Sequence, residues 1–173
     1  MRLKSEFSLA KKLYYQSINN YGFGENIINN TKDNEEMLRT SFRLCYGILD
    51  KIAFAICELF NLANSNEYIL FENFWNNNNK RWELINNIKD NYPLIGLYSI
   101  ATDLNQKNGE WKFLKEWRNK LEHRILIIND GSKTSFESVS YEEFNKNTLH
   151  LLQLVRSAII TFVLCVRKEL KKT

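Results

Sequence analysis

An all-α fold is the class this sequence predicts, on three observations. Proline and glycine, the residues that interrupt helices, number one and six in 173 residues, so long runs are free of breakers. Apolar residues recur at three-and-four spacing through most of the chain. Capping signals, Asp33 with Glu36 and Ser140 with Glu143, stand before two of the longest such runs. At 44 % hydrophobic and 13 % aromatic residues the chain reads as globular, one domain over residues 1–173 with enough length to bury a core.

A first helix is predicted over residues 4–19, with Phe7, Leu9, Leu13, Tyr14 and Ile18 as its apolar contacts. Asn19-Asn20-Tyr21-Gly22-Phe23-Gly24 ends it; the glycine pair lacks a third glycine and a preceding strand, so it reads as a helix stop and not as a phosphate loop. A long second helix opens at the Asp33–Glu36 cap and keeps apolar spacing from Met37 to Leu62. Tyr68 to Trp75 reads as a short helix that plugs the core, and residues 80–90 as another. Pro93 marks a helix start, with Leu94 to Leu104 as the third main helix. Asn108-Gly109 is a turn before a helix over 111–124. Ile125-Leu126-Ile127-Ile128 and Ser135 to Ser140, around Asn129-Asp130-Gly131-Ser132, read as a small β-hairpin. The last helix, from Tyr141 to about Lys168, is apolar on more than one side, which predicts a central position or one shared with a second subunit.

Composition excludes some functions. The net charge of +4 and pI near 8.9 permit an anionic partner such as RNA without requiring one. Cys45, Cys57 and Cys165 lie scattered in apolar helical stretches, the pattern of reduced buried thiols in a cytoplasmic protein. No cysteine, histidine and carboxylate grouping has metal-ligand spacing, and no cofactor motif is present. The first residues carry no apolar signal core, and Leu149 to Val166, broken by Gln153 and Arg156, reads as too short and too charged to span a bilayer. The Asn76–Asn79 run fills a loop.

The chemistry gathers on the helix around Arg118-Asn119-Lys120-Leu121-Glu122-His123. Phe113, Leu114, Trp117 and Leu121 share one side and predict its core stripe. Asn119, Glu122, His123 and Lys115 point the other way, with Arg118 at the edge. Asn119/His123 and Arg118/Glu122 are i, i+4 pairs, so the four heads can meet. A guanidinium is a fixed planar charge for a phosphoryl group, and an imidazole moves protons near neutral pH. The plain alternative is a solvated outer face. Asp50 shares a side of the second helix with Arg43, Tyr46, Ala53, Phe54 and Cys57. It reads either as a structural salt-bridge partner of Arg43 or Lys51, or as a group that orients Arg118 or His123.

Arg118-Asn119-Lys120-Leu121-Glu122-His123 resembles the Arg-x(4–6)-His motif of the HEPN superfamily (higher eukaryote and prokaryote nucleotide-binding domains). Arg39 to Ala53, Gly96 to Leu104 and Leu154 to Ile159 are similar, in the same order, to blocks of a HEPN subfamily often fused to tetratricopeptide-type repeats; the likeness covers residues 35–170. The resemblance implies an up-and-down helical bundle that dimerises with its motif helices together. It implies a metal-independent endoribonuclease, a toxin or defence effector, with Arg118 and His123 catalytic and Asn119, Glu122 and Asp50 supporting. RNA, a second copy and a regulatory or antitoxin partner are the implied partners; cofactor and membrane are not. Toxins of this superfamily paired with nucleotidyltransferase antitoxins carry a tyrosine two residues after the histidine. Here Ile125 stands there, so control through that tyrosine is not expected. The other outcome open to the family is a catalytically silent module that binds RNA or nucleotide or mediates assembly.

Overall fold

The computed structural model describes residues 2–21, 27–62, 69–75, 90–105, 109–123, 126–129 and 138–171, and within them the side chains of all but 20, 21, 27–31, 73, 123 and 129. The described residues form an all-α bundle: α1 (Leu3–Tyr21), α2 (Ile27–Leu59), α3 (Phe71–Phe74), α4 (Tyr92–Asp103), α5 (Lys112–His123) and α6 (Tyr141–Leu170), with strands β1 (Ile127–Asn129) and β2 (Ser138–Ser140). The chain divides into two compact units, a first of residues 1–46 and 116–153 and a second of residues 47–115 and 154–173.

In the first unit an aromatic cluster forms the core. Phe42 stacks on Phe144 at 5.3 Å between ring centroids, and Trp117 lies 5.4 Å from Phe144. Tyr46 extends the cluster, 5.5 Å from Phe42. Such pairs add about 0.5–1.5 kcal/mol each beyond the area they bury. α1 is tied to α2 by the buried Ser41 Oγ, which donates to Ala10 O at 2.9 Å. The cap read at Ser140 is present, since its Oγ accepts from Glu143 N at 3.1 Å and starts α6.

Two details differ from the sequence reading. α2 begins at Ile27, so Asp33 and Glu36 lie inside the helix. Glu36 instead pairs with Arg43, so the apparent cap is a surface ion pair. β1 and β2 pair in parallel, Ile127 with Ser138, Ile128 with Val139 and Asn129 with Ser140, so they are not a hairpin. Turn composition fixes neither strand direction nor the length of the connection. Buried Ile128 and Val139, paired in register, fit any arrangement that sends both to the core.

The second unit buries Ile48, Leu49, Ile52 and Ile56 of α2 with Val155, Ala158 and Phe162 of α6. α2 stops at Asn61, which takes a left-handed conformation (φ 54°) while Leu62 N–H reaches back to Cys57 O at 2.8 Å. The short plug is present: Phe71, Phe74 and Trp75 are all buried. Asn91 caps α4, its Oδ1 accepting from Leu94 N at 3.2 Å, with Pro93 in the first turn as predicted. Its Nδ2 donates to Glu169 Oε1 at 2.6 Å, which ties α4 to the end of α6. The turn at Gly109 is held by Gly109 N to Asn105 O at 2.9 Å, and a Cβ there would overlap the backbone of Asp103 and Asn105. The expected helix at 80–90 lies outside the described residues.

α6 corrects one further expectation. Its 30 residues include a window of mean hydropathy 1.9, so by length and composition it is long and apolar enough to cross a membrane; one third of that window is buried inside the chain. One glutamine and one arginine do not lower the average enough to break it. A core helix passes the same test.

The thiols give a direct check on the packing. Cys45, Cys57 and Cys165 are buried and in no disulfide, and burial pushes the Cys45 thiol up from its ordinary value, leaving little thiolate to react. The native protein should therefore be silent toward a disulfide-exchange reagent at pH 8. All three thiols should titrate once it is unfolded.

Candidate active site

α5 brings Arg118 and Glu122 together as their spacing predicts. Arg118 Nε lies 3.3 Å from Glu122 Oε1. The arginine is not at the edge of a solvated face, however: its side chain is 7 % exposed against 32 % for Glu122. Its guanidinium lies over the ring of Tyr46, 5.5 Å from the centroid. A buried cation needs compensation, and here an aromatic face and a carboxylate supply it. Asn119 is exposed on α5, on the outward side that its spacing predicts. His123 ends α5, five positions after Arg118; its side chain and Ile125 lie outside the described residues.

Two residues that sequence reasoning missed support this helix in the first unit. Tyr46 has no polar signature at its position, and only its place in the Arg39–Ala53 block could have pointed to it. Arg39 Nη2 donates to Leu126 O at 3.2 Å and is flanked by Glu35 and Glu36 at 3.7 and 3.6 Å. It thereby holds the chain three residues beyond His123. Nearby, burial raises the Glu35 carboxyl above its ordinary value, and Arg39 and Lys32 pull it back.

Lys115 is the clearest correction. Expected among the outward polar heads, it is buried in the second unit, with Nζ 2.8 Å from Glu72 Oε1 of α3. The charges are close, but neither Glu72 oxygen has a hydrogen bond, so the pair is an ion contact without good alignment. Helical spacing gave the angle of Lys115 around α5 but not the element that would cover it. Asp50 Oδ1 accepts from Phe71 N at 2.9 Å and so starts α3, which favours a structural role. Among the described residues no three of His, Cys, Asp or Glu are grouped to hold a metal ion.

A sequence-family model described as LA2681-like HEPN matches residues 1–169. The chain belongs to that HEPN family. The match takes in α1, which lies before the likeness that begins at residue 35, and it runs to within one residue of the end of α6. No curated protein and no solved structure matches this HEPN chain significantly.

Proposed function

We propose that this HEPN domain is a metal-independent endoribonuclease, a toxin or defence effector working as a homodimer, in which Arg118 and His123 carry the reaction. The observation that supports it most is Arg118 itself. It is a buried guanidinium already held between Glu122 and the Tyr46 ring, five residues before a histidine on the same helix. Preorganised charge of this kind stabilises a transition state without reorganising during the reaction.

In the proposed reaction a ribose 2′-hydroxyl attacks the adjacent phosphorus. A 2′–O–P bond forms, the bond to the 5′-oxygen breaks, and the products end in a 2′,3′-cyclic phosphate and a 5′-hydroxyl. His123 takes the proton from the 2′-hydroxyl, and the His123 of a second copy returns one to the leaving oxygen. Arg118 meets the charge growing on the phosphoryl oxygens. Asn119 holds the phosphate or the histidine, Glu122 positions Arg118, and Asp50 supports through the fold. The regulatory or antitoxin partner belongs to the same proposal.

The test is cleavage of a mixed RNA pool with EDTA throughout, wild type against His123→Ala. Cyclic-phosphate ends from the wild type only, with the variant slower by roughly 10²–10⁴-fold, are the expected result. Equal cutting by both would remove His123 from the site.

A second reading, a silent HEPN module binding RNA or nucleotide, is favoured by the depth at which Arg118 is already engaged. On that reading Arg118→Ala weakens binding or stability, and neither protein cuts RNA.

A further inference from the structure

Exposed apolar side chains cluster along one stretch of α6. Ile160, Val163 and Leu164 are 52 %, 41 % and 48 % exposed, while Ala158, Phe162 and Cys165 between and beside them are buried in the second unit. The helix therefore has a core face and a second apolar face turned to solvent. Arg156 and Arg167 are exposed on that outward side, because 156, 160, 163 and 167 follow the i, i+4, i+7, i+11 progression that returns to one face. Ile160 and Val163 thus lie between two guanidinium groups about 16 Å apart along the helix, with the exposed Leu170 beyond Arg167. α4 passes beside α6 here, since a Cβ on Gly96 would stand 3.3 Å from Thr161 Cγ2, and the adjoining Ile95 is also exposed.

We propose that this face docks an amphipathic helix of a protein partner whose apolar seam is bracketed by carboxylates about three turns apart. Charge placement selects that occupant. A second copy brought onto the face by a two-fold axis through its centre opposes Arg156 to Arg167 when the helices are antiparallel. With parallel helices each arginine meets its own counterpart. Either way like charges meet at both ends of the seam. A bilayer suits a helix whose cations lie along the borders of its apolar face, whereas these two lie in line with the apolar centre and would be driven into the acyl chains. Carboxylates on a facing helix satisfy both guanidinium forks while the seams close between them. The proposal holds whether or not the Arg118–His123 helix cuts RNA.

The test uses the full chain and two synthetic fluorescent helical peptides. Each has a leucine seam; one carries two glutamates eleven residues apart, the other lysines in their place. Binding is followed by anisotropy. The glutamate peptide should bind the wild type at least ~10-fold tighter than the lysine peptide, and the Arg156→Glu/Arg167→Glu protein should invert that preference. Inversion is a gain of binding, so a misfolded variant cannot produce it. Equal binding of the two peptides, binding of neither, or a preference that survives the double substitution would overturn the proposal. So would a dimer of the wild type dissolved by Leu164→Glu in sedimentation, which would make this the self-interface. Recruitment to phosphatidylglycerol vesicles abolished by Leu164→Glu would assign the face to lipid and overturn it equally.

Discussion

Arg118→Lys should impair RNA cleavage nearly as much as Arg118→Ala, by ~10²-fold or more in each case. The charge is not the whole contribution of this residue. Glu122 Oε1 lies 3.3 Å from Nε and the Tyr46 ring lies beneath the guanidinium, its centroid 5.5 Å away, so the group has two partners that a shorter ammonium cannot match. A lysine ammonium has no Nε and no plane, so neither contact can aim it. Glu122→Gln keeps an acceptor within reach and should cause the smaller loss, within about tenfold. Tyr46→Leu removes the ring beneath a buried cation, and should weaken the fold by about 0.5–2 kcal/mol along with activity. Single-turnover cleavage of a fluorescent RNA in EDTA, paired with thermal unfolding of each variant, separates the two effects. Full activity in Arg118→Lys would mean that the guanidinium is not aimed at phosphate. Lost stability with no cleavage by any protein would leave Arg118 as part of a silent module.

The contrast between Arg118 and Lys115 shows how far the sequence could be read. Local chemistry was legible wherever a side chain acts on its own backbone or within a turn. Ser140 caps α6, Pro93 stands in the first turn of α4, and Arg118 meets Glu122 one turn on. The Phe71–Trp75 plug was legible because aromatic side chains at that density have nowhere to go except a core. Partners far away in sequence were not legible. Periodicity put Lys115 on the polar side of α5, and Glu72, 43 positions earlier, made that side an interior. The strands were located, but their direction was not, because alternation of buried residues is the same for parallel and antiparallel pairing. Asp33 and Glu36 carried a cap's residue types at a cap's spacing and still lie within α2, which begins six residues before Asp33, at Ile27.

Glu72→Ala should be among the most destabilising single substitutions in the chain, at about 3–5 kcal/mol, because it strands a buried ammonium. Glu72 and Lys115 are 1 % and 7 % exposed, so water cannot take over from the missing partner. The native pair is itself poorly satisfied: the contact is 2.8 Å, yet neither carboxylate oxygen has a hydrogen bond. Replacing both partners, Glu72→Leu with Lys115→Met, should therefore recover the loss and bring the protein level with the wild type or up to about 4 kcal/mol above it. Denaturant midpoints of the two singles and the double form the cycle that isolates the coupling. If the double variant were as weak as Glu72→Ala, the pair would be contributing far more than its geometry allows. The double variant also asks what the ion pair is for. Lys115 sits on α5 three residues before Arg118, so the test is whether losing a charge anchored there reaches the arginine at all. A double variant that melts like the wild type but cuts RNA more slowly would assign the pair to positioning that helix. Unchanged cutting would make it a folding contact, retained in a core that an apolar pair fills equally well.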